Sequence, residues 1–408
     1  MNCRHCRTPL SLPLVDLGSA PPSNAYLTAE SLHRPERWFP LRVLVCEHCW
    51  LVQTEDFANA HELFDDGYAY FSSYSATWLA HAERYVAEMA SRFGLGAGSH
   101  VVEVAANDGY LLQYVQARGI PCTGIEPTAS TAAAARARGI PIVQEFFGRE
   151  LGRRLAGEGR CADLMAANNV LAHVPDINDF VAGFAELLAA DGVATFEFPH
   201  LAQLLAEGQF DTIYHEHFSY LSLLAVERIF EANGLAVFDV EPLPTHGGSL
   251  RVSACRADSH AHPRTARVDR VLAEERAAGL ASASGYAGFQ ARAEHARDAL
   301  LRFLLDARRD GRTVAAYGAA AKGNTLLNFA GVRADQVRCV ADRNPAKQGK
   351  FMPGSRIPIV GPEELDRLQP DYVLVLPWNL REEVRDRTAH LARRGTRLVT
   401  AIPELVVA

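Results

Sequence analysis

The stretch VVEVAANDGYLLQYV, Val101 to Val115, decides the fold. An apolar run leads into an acidic turn that contains Gly109, and an amphipathic segment follows the turn. This pattern is typical of a buried strand that passes directly into a helix. Ligands of open α/β sheets bind at the carboxyl ends of such strands. The turn therefore marks the edge where we expect a cofactor.

The same rhythm extends on both sides of this stretch. Between 94 and 199, short apolar runs alternate with helical segments, and we predict strands at HVVEVAAN, CTGIEPT, IPIV, ADLMAANNV and VATFEF. LLAVERIFEANG then predicts a helix, and LAVFDVEPL and SLRVSACR predict two strands joined through Gly247 and Gly248. We expect a doubly wound parallel sheet with a closing antiparallel hairpin over residues 66–260. The hairpin distinguishes a methyltransferase sheet from a dinucleotide-binding one.

Two Cys-x-x-Cys pairs, CRHC and CEHC, stand in the first 65 residues. Thiolates at this spacing suit two corners of a tetrahedral zinc site, and two pairs complete a closed structural site. His5 or His48 could replace one cysteine, and redox-active or merely buried thiols are the alternative. We predict an N-terminal zinc-binding domain at 1–65, whose ligands are Cys3, Cys6, Cys46 and Cys49.

The C-terminal part repeats the strand and helix alternation. A helical stretch from about His262 to Arg309 predicts a connector with a solvated charged face. Beyond it, TVAAYG, VRCVADR, DYVLVLP and TRLVTAI predict strands separated by helices. We therefore expect a connector and a second Rossmann-like α/β domain at 261–408.

Composition narrows the class of partner. The chain has 408 residues, 48% of them hydrophobic and 22% charged, with a net charge of -7. That balance gives no basic field for nucleic acid or for an anionic membrane surface, so small molecules are the expected partners. No apolar run reaches the roughly 20 residues of a membrane span, and the N-terminus lacks a signal peptide's apolar core. We expect a cytoplasmic protein, a monomer or a weak homo-oligomer.

The turn after the first strand of the central sheet does not fit a phosphate loop. The G-x-G-x-x-G pattern is absent, because Ala105 and Ala106 stand in the turn. S-adenosylmethionine fits better, since its ammonium and sulfonium groups favour carboxylates and an acid after the next strand would accept from the ribose hydroxyls. Any one of these acids alone would more often be a helix cap. The cofactor candidates are Glu103, Asn107, Asp108, Gly109, Glu126, Asn168 and Asn169.

A second stretch, YHEHFSYLS at 214–222, is dense in proton-handling side chains. Upstream, NNVLAHVPD brings His173 to the rim of the same crevice, where a lone histidine would otherwise be a core residue. The alternatives for the pair His215 and His217 are a structural turn and a second metal site. If the stretch is extended, these two histidines point to one side and Tyr214, Glu216 and Phe218 point to the other, whereas a loop would relax this constraint.

Together these features resemble the S-adenosylmethionine-dependent C-methyltransferases that build branched deoxysugars from nucleotide-linked 4-keto sugars. The resemblance is carried by the cysteine pairs, by E-x-x-x-N-D-G-Y-L-L with NNVLAHVPD, and by YHEHFSYLS. It continues through EFPHL into YGAAAKGNTLLN and covers nearly the whole chain. One departure is Ala105, where such turns more often have glycine.

The resemblance implies methylation of a carbon next to a ketone, with C3 favoured over C5. Such a carbon becomes a nucleophile only after a base removes its proton and an enolate forms. The resemblance makes His217 the base, Glu216 and Tyr214 its neighbours around the ketone, and His173 a donor to the enolate oxygen.

The resemblance also implies a nucleotide-sugar site. Tyr68 and Tyr70 would line the sugar pocket, and Lys322, Gly323 and Asn324 at a helix start suit the diphosphate. Small residues there could instead allow close packing of a helix on a strand. Two other functions stay open from the sequence, an NAD(P)-dependent oxidoreductase and a zinc-ribbon adaptor.

Overall fold

A computed structural model describes residues 1–57 and 71–408. Tyr68 and Tyr70, expected at the sugar pocket, lie outside the described residues. No described helix is both long enough and apolar enough to cross a membrane. The described strands, in chain order, are β1 (Leu12–Ala20), β2 (Phe39–Val45), β3 (Val52–Thr54), β4 (Val101–Val104), β5 (Cys122–Ile125), β6 (Ile142–Val143), β7 (Ala162–Asn168), β8 (Leu188–Pro199), β9 (Ser219–Tyr220), β10 (Leu235–Leu243), β11 (Ser249–Arg256), β12 (Val314–Tyr317), β13 (Val340–Ala341), β14 (Ile359–Val360), β15 (Tyr372–Val375), β16 (Arg397–Thr400) and β17 (Val406–Val407).

The helices surround these strands. The α-helices of the described chain are α1 (Ala76–Arg92), α2 (Leu112–Gln116), α3 (Ala129–Ala137), α4 (Arg149–Gly157), α5 (Ile177–Leu187), α6 (Leu201–Ala206), α7 (Leu223–Ala232), α8 (Ala266–Ala277), α9 (Phe289–Arg309), α10 (Ala321–Phe329), α11 (Glu363–Leu368), α12 (Arg381–Arg387) and α13 (Ala389–Ala392). Single 3-10 turns precede several functional residues, among them Leu171–His173, Phe210–Thr212 and Thr245–Gly247.

The central sheet has the predicted doubly wound arrangement. Its strand order is β10-β11-β8-β7-β4-β5-β6. The pairs from β8 to β6 are all parallel, whereas β11 is antiparallel to both β8 and β10. The expected closing hairpin is therefore confirmed. The order reverses at β4, and a crevice opens there at the carboxyl ends of β4 and β7.

The N-terminal sheet draws a strand from the middle of the chain. Its order is β1-β2-β3-β9, and every pair is antiparallel. β9 belongs to the stretch YHEHFSYLS, where Val52 pairs with Tyr220 and Gln53 with Ser219. The zinc-binding part and the stretch of acids and bases therefore share one sheet.

The C-terminal sheet confirms the second Rossmann-like unit. Its order is β14-β13-β12-β15-β16-β17, with parallel pairs except for β17 against β16. β12 lies at the centre and leads into α10, so the residues predicted to bind the diphosphate stand at the carboxyl edge of this sheet.

The connector differs from the single helical stretch expected between 262 and 309. It forms α8 and α9, separated by residues that include Gly279, Gly285 and Gly288. Gly279 and Gly288 have φ of +86° and +78°, values that glycine adopts without steric cost. A Cβ on Gly285 would come within 2.2 Å of the Gly279 carbonyl oxygen. These glycines end the first helix and fold the chain back.

One hydrophobic core passes through all three sheets. A continuous cluster of buried side chains includes Val43 of the N-terminal sheet, Phe196 of the central sheet and Leu327 of α10. Trp50 also stacks on Tyr286 of the connector, with ring centroids 6.1 Å apart. Burying a side chain of this size contributes about 1.5–3 kcal/mol, so these shared contacts fix the sheets against one another.

Candidate active site and metal centre

The four predicted zinc ligands come together. Their sulfur atoms all lie within 4.8 Å of one another, and the Sγ–Sγ distance is 3.5 Å for both Cys3–Cys49 and Cys6–Cys46. A tetrahedral zinc with Zn–S bonds of about 2.3 Å would place the sulfurs about 3.8 Å apart. The cluster therefore fits a zinc ion, with no histidine among its ligands in the described chain. His5 instead contacts Asn178, Nδ1 to Oδ1, at 2.8 Å.

Both cysteine pairs have the same knuckle backbone. Arg7 and Trp50, the residues just after Cys6 and Cys49, have φ of +64° and +63°. The Arg7 amide donates to the Cys3 carbonyl, and in the second pair the Trp50 amide donates to the Cys46 carbonyl. This repeated turn directs each pair of thiols to one centre.

The turn after β4 has a left-handed backbone at three positions. Ala105, Asn107 and Gly109 have φ of +60°, +48° and +78°. The conformation costs an L-residue about 1–2 kcal/mol. Ala105 thus takes the backbone conformation that glycine would supply, and the substitution noted in the sequence leaves the shape of the turn intact.

Glu126 holds this turn from the neighbouring strand. Its two carboxylate oxygens accept the backbone N–H groups of Asn107 and Thr128, each at 2.9 Å. The carboxylate therefore lies at the carboxyl end of β5, against the turn, as the sequence predicted. That position suits an acid that accepts from the ribose hydroxyls.

Several buried polar atoms of the described residues around the turn lack a well-formed hydrogen bond. They are both oxygens of Glu103, Oδ1 of Asp108 and both polar atoms of Asn168, and the polar neighbour of Glu103 and Asn168 is the Tyr110 hydroxyl. Burial raises the pKa of Glu103 well above its usual range. Unpaired buried polar atoms are costly, so the cluster requires a polar ligand. The cationic methionine end of S-adenosylmethionine meets that requirement.

The far wall of the crevice was not predicted from the sequence. His81 of α1 contacts Glu197 of β8 at 2.9 Å, and Arg251 donates to the same carboxylate at 2.7 Å. Trp78 stacks on the His81 ring at 4.9 Å and lies 5.3 Å from the His246 ring.

His246 stands in the hairpin turn with φ of +56°, and its Nε2 is 3.4 Å from Nδ2 of Asn169. The one sequence signal that could have identified His246 is its position directly before Gly247 and Gly248, the glycines that join the two strands of the hairpin. Because it faces Asn169 and Trp78, His246 belongs to the lining of the cofactor crevice.

The predicted catalytic residues gather on one side of this crevice. The ring centroids of His217 and Tyr214 are 4.0 Å apart, and those of His217 and His173 are 4.6 Å apart. Nδ1 of His217 lies 2.9 Å from the Thr212 carbonyl oxygen. Because a carbonyl only accepts, Nδ1 has the proton and Nε2 has the lone pair. His217 is thereby in the tautomer of a base.

Burial keeps both imidazoles neutral. It lowers the pKa of His217 well below its usual range and that of His173 to about 4. His173 places Nδ1 2.8 Å from the Glu216 carbonyl oxygen and donates there. A neutral His173 then accepts at Nε2, so the role expected of it, donating to the enolate oxygen, does not fit this geometry.

Glu216 and His215 point away from each other. Glu216 accepts from the backbone and side-chain amides of Asn24, both at 3.2 Å, and burial raises its pKa. His215 turns to the N-terminal sheet, where Nε2 is 3.2 Å from the Pro40 carbonyl oxygen. The stretch is a turn at 214–217 rather than extended, so His215 and His217 do not share a face.

Lys322 is near enough to His217 to act on it electrostatically, which its predicted role did not require. Its Nζ donates to Oδ1 of Asn379 at 2.8 Å and sits 4.5 Å from the centre of the Trp378 ring. Trp378 in turn donates to Asp211 at 2.8 Å, and burial raises the pKa of Asp211 to about 6. Behind burial and the neighbouring histidines, the charge of Lys322 also lowers the pKa of His217.

Gly323 and Asn324 also serve the packing of the domains. A Cβ on Gly323 would come within 2.8 Å of the Leu376 side chain, which matches the packing alternative. The Asn324 amide donates to the Ser23 carbonyl oxygen, and Thr325 donates to Ile213 at 2.7 Å. Asn324 therefore joins α10 to the N-terminal part of the chain, and Thr325 joins it to the residue that precedes the stretch at 214–222.

The central sheet, the turn after β4 and the buried acids around that turn together define a methyltransferase that uses S-adenosylmethionine. Family models agree along the chain, with a zinc binding domain at 3–64, a methyltransferase domain at 78–240 and a C-methyltransferase C-terminal domain at 244–403. The chain is 37% identical to C-methyltransferase NovU of Streptomyces niveus over 402 residues, 98% of this chain and 95% of that protein. The chain belongs to this family of zinc-binding, S-adenosylmethionine-dependent C-methyltransferases. The oxidoreductase and adaptor alternatives are thereby excluded.

Two solved methyltransferase structures are similar to part of this chain. Magnesium protoporphyrin IX methyltransferase from Synechocystis PCC 6803 with bound S-adenosylmethionine is 16% identical and covers 44% of this chain and 79% of its own, with a TM-score of 0.33. An S-adenosylmethionine-dependent methyltransferase from Mesorhizobium loti is 16% identical and covers 44% of this chain and 100% of its own, with a TM-score of 0.34. At these scores the likenesses carry no argument about substrate.

Proposed function

We propose that this C-methyltransferase methylates the carbon next to the C4 ketone of a nucleotide-linked 4-keto-deoxysugar, with C3 favoured over C5. The observation that carries the proposal is the state of His217. The Thr212 carbonyl fixes its tautomer, and burial lowers the pKa of the ring, so its Nε2 lone pair is available at neutral pH.

A base is the group that this reaction needs first. A carbon beside a ketone has no nucleophilic electron pair until its proton is removed. His217 takes that proton at Nε2, and the electron pair of the broken C–H bond moves into the enolate. Charge then develops on the ketone oxygen, which requires a nearby donor.

We assign that donor role to Tyr214 instead of His173. The Tyr214 ring centroid lies 4.0 Å from that of His217, and its phenol can donate a proton to an oxyanion. His173 donates its Nδ1 proton to the Glu216 carbonyl, and it is therefore better suited to orienting the base. Glu216, anchored by Asn24, would shape the pocket around the ketone.

S-adenosylmethionine, when bound, supplies the methyl group. On this proposal Glu126 binds its ribose, and Glu103, Asp108 and Asn168 face its charged end. These residues hold the donor at the carboxyl ends of β4 and β7. Trp78 and His246, whose ring centroids are 5.3 Å apart, would pack beside the bound cofactor.

The rest of the substrate would lie against the C-terminal domain. The start of α10 and the ammonium group of Lys322 offer an anion site for the diphosphate. Tyr68 and Tyr70 stay predicted members of the sugar pocket. The partner we propose is thus a small nucleotide sugar, held between the zinc-binding sheet, the central sheet and the C-terminal sheet.

The test combines isotope exchange with product analysis. A panel of nucleotide-linked 4-keto-deoxysugars is incubated in deuterated water with a labelled methyl donor, and mass spectrometry reports both exchange and methylation. His217→Asn should lower both by about 10²–10⁴-fold, the usual contribution of a general base. His215→Asn, in the same turn but directed at Pro40, is the matched control and should retain both.

Two outcomes would overturn the proposal. If no 4-keto sugar of the panel is methylated by the wild-type enzyme, the substrate class is wrong. If His217→Asn retains near-normal exchange and turnover, the base is another residue, even though the substrate class stands.

A further inference from the structure

The backbone of the proposed base is held from two sides. The Thr54 hydroxyl donates to the His217 carbonyl at 2.6 Å, and the Thr54 amide donates to the Phe218 carbonyl at 3.1 Å. On the other side, the Phe218 amide donates to Ala172, beside His173, at 2.8 Å. The end of β3 therefore determines where the His217 backbone sits.

Arg4 connects this region to the metal centre. It stands between the ligands Cys3 and Cys6, yet its side chain is only 5% exposed and extends toward the catalytic turn. Its Nε donates to the Phe218 carbonyl at 3.3 Å, and its Nη2 donates to the Thr54 carbonyl at 2.9 Å.

The same guanidinium has two further contacts. It forms an ion pair with Asp56 and lies 4.9 Å from the centre of the Phe218 ring. A buried guanidinium with four such contacts has little freedom, because moving it would leave charge and carbonyl groups unpaired.

The backbone of Arg4 is tied to the metal site as well. Its amide donates to Oε1 of Gln53 at 2.8 Å, and Nε2 of the same glutamine donates to Sγ of Cys3 at 3.3 Å. Gln53 pairs with Ser219 across the sheet. The first zinc knuckle, β3 and β9 thus form one hydrogen-bonded unit.

We propose that Arg4 is a positioning residue through which the zinc site sets the position of the catalytic turn at 214–217. The proposal rests on the function proposed above for His217, and it gives the metal a role in turnover without any contact to substrate. When zinc closes the knuckle, the guanidinium is aimed at the Phe218 carbonyl. When the knuckle opens, that support is lost and the base moves.

A small displacement is sufficient to matter. Removal of a proton from carbon requires the base within hydrogen-bond reach and in line with the C–H bond, and a misplacement of about 1 Å can lower the rate about 10²-fold. Cofactor affinity should not change, because Glu126 and the turn after β4 make no contact with Arg4.

The test replaces Arg4 by Met and by Lys, with Arg7→Met as the matched control. Arg7 follows the same cysteine pair but is exposed. We expect Arg4→Met to retain one zinc per chain and wild-type affinity for S-adenosylmethionine, while kcat and substrate deuterium exchange both fall about 10- to 100-fold. Arg4→Lys should recover part of the loss, and Arg7→Met should behave like wild type.

A readout independent of turnover separates this proposal from the assignment of the base. In protein labelled with ¹³C-histidine, Arg4→Met should shift the His217 ring signal, identified by its loss in His217→Asn, and Arg7→Met should not. If that signal shifts while turnover is unchanged, His217 is not the base but Arg4 still positions it. If the signal and turnover both stay as in wild type, the positioning role is wrong.

A second variant covers the case in which Arg4→Met loses zinc. Thr54→Val removes the hydroxyl that donates to the His217 carbonyl and touches no zinc ligand. The Thr54→Val protein should retain zinc, and its kcat and its substrate deuterium exchange should fall by the same factor. Full exchange in Thr54→Val with zinc bound would contradict the proposal.

Discussion

The turn after β4 and the turn after β12 are built alike. Each follows a central parallel strand and begins with a left-handed residue, Ala105 at φ +60° or Gly318 at φ +86°. Each is also held by an acid that follows the next strand. Glu126 accepts from the amide of Asn107, and Asp342 accepts from the amide of Ala319 at 2.7 Å.

The two turns differ in what satisfies their polar groups. Around the first, Glu103 and Asn168 are buried with no well-formed hydrogen bond among the described residues, and both interact with the Tyr110 hydroxyl. Around the second, Tyr26 donates to the Ala319 carbonyl at 2.6 Å, and Lys322 and Asn324 donate to other parts of the protein, although Oδ1 of Asn324 is left without a hydrogen bond in the described chain. On our proposal, the same backbone device therefore binds the cofactor in one sheet, whereas in the other its polar groups also join domains. The strand, turn and acid pattern does not by itself identify a cofactor site.

Replacing the two acids gives the largest expected contrast. Glu126→Ala should weaken S-adenosylmethionine binding by about 10- to 100-fold, because charge-assisted hydrogen bonds contribute about 1.5–3 kcal/mol each. Asp342→Ala removes the equivalent acid and should leave that affinity unchanged. Titration calorimetry measures both, and equal losses in the two variants would mean that the two turns do not differ as described.

The first residue of the second turn, Gly318, is closely surrounded by other residues, so we expect a side chain at this position to destabilise the protein. A Cβ on Gly318 would come within 2.6 Å of the Pro377 ring, in addition to the cost of a left-handed backbone. Gly318→Ala should lower the free energy of unfolding by about 2–4 kcal/mol. Chemical denaturation checks this value, and a loss below about 1 kcal/mol would show that the second turn can relax.

Lys322 tests whether the second turn also meets the substrate. Lys322→Met should raise the KM for the nucleotide sugar about tenfold, because one charge-assisted hydrogen bond to the substrate is lost. The affinity for S-adenosylmethionine should be unchanged. Lys350→Met, in the same domain, is the control. An unchanged KM would mean that Lys322 does not contact the substrate and serves only the interface with Asp211 and Trp378.

The same variant has a pH signature. If His217 is the base we propose, it works only when neutral, so kcat/KM should fall as the pH drops through its pKa. Burial lowers that pKa most, followed by His173, His246 and the charge of Lys322. Removing the lysine charge should therefore move the acidic limb of the profile to higher pH. A limb that stays in place or moves to lower pH would contradict the electrostatic role.

The sequence predicted those parts of the molecule that local patterns encode. The strand at 101–104 and each Cys-x-x-Cys pair follow from patterns within a few residues, and Glu126 follows from its place at the end of the next apolar run. The pairing of Val52 with Tyr220 joins residues far apart in the chain, and nothing local specifies it. For the same reason the sequence left open which way His215 and His217 point, since that depends on the sheet into which β9 is inserted.

The smallest effect concerns Ala105, the counterpart of Gly318. The left-handed conformation costs alanine about 1–2 kcal/mol, while glycine loses about 0.5–1 kcal/mol more chain entropy on folding. Ala105→Gly should therefore raise the free energy of unfolding of the central domain by up to about 1 kcal/mol, as measured by denaturant titration. Affinity for S-adenosylmethionine should be unchanged, because the backbone already has the shape that glycine would give. A fall in stability would mean that the Ala105 methyl group makes packing contacts that outweigh the backbone strain, and the two turns would then differ at their first residue as well.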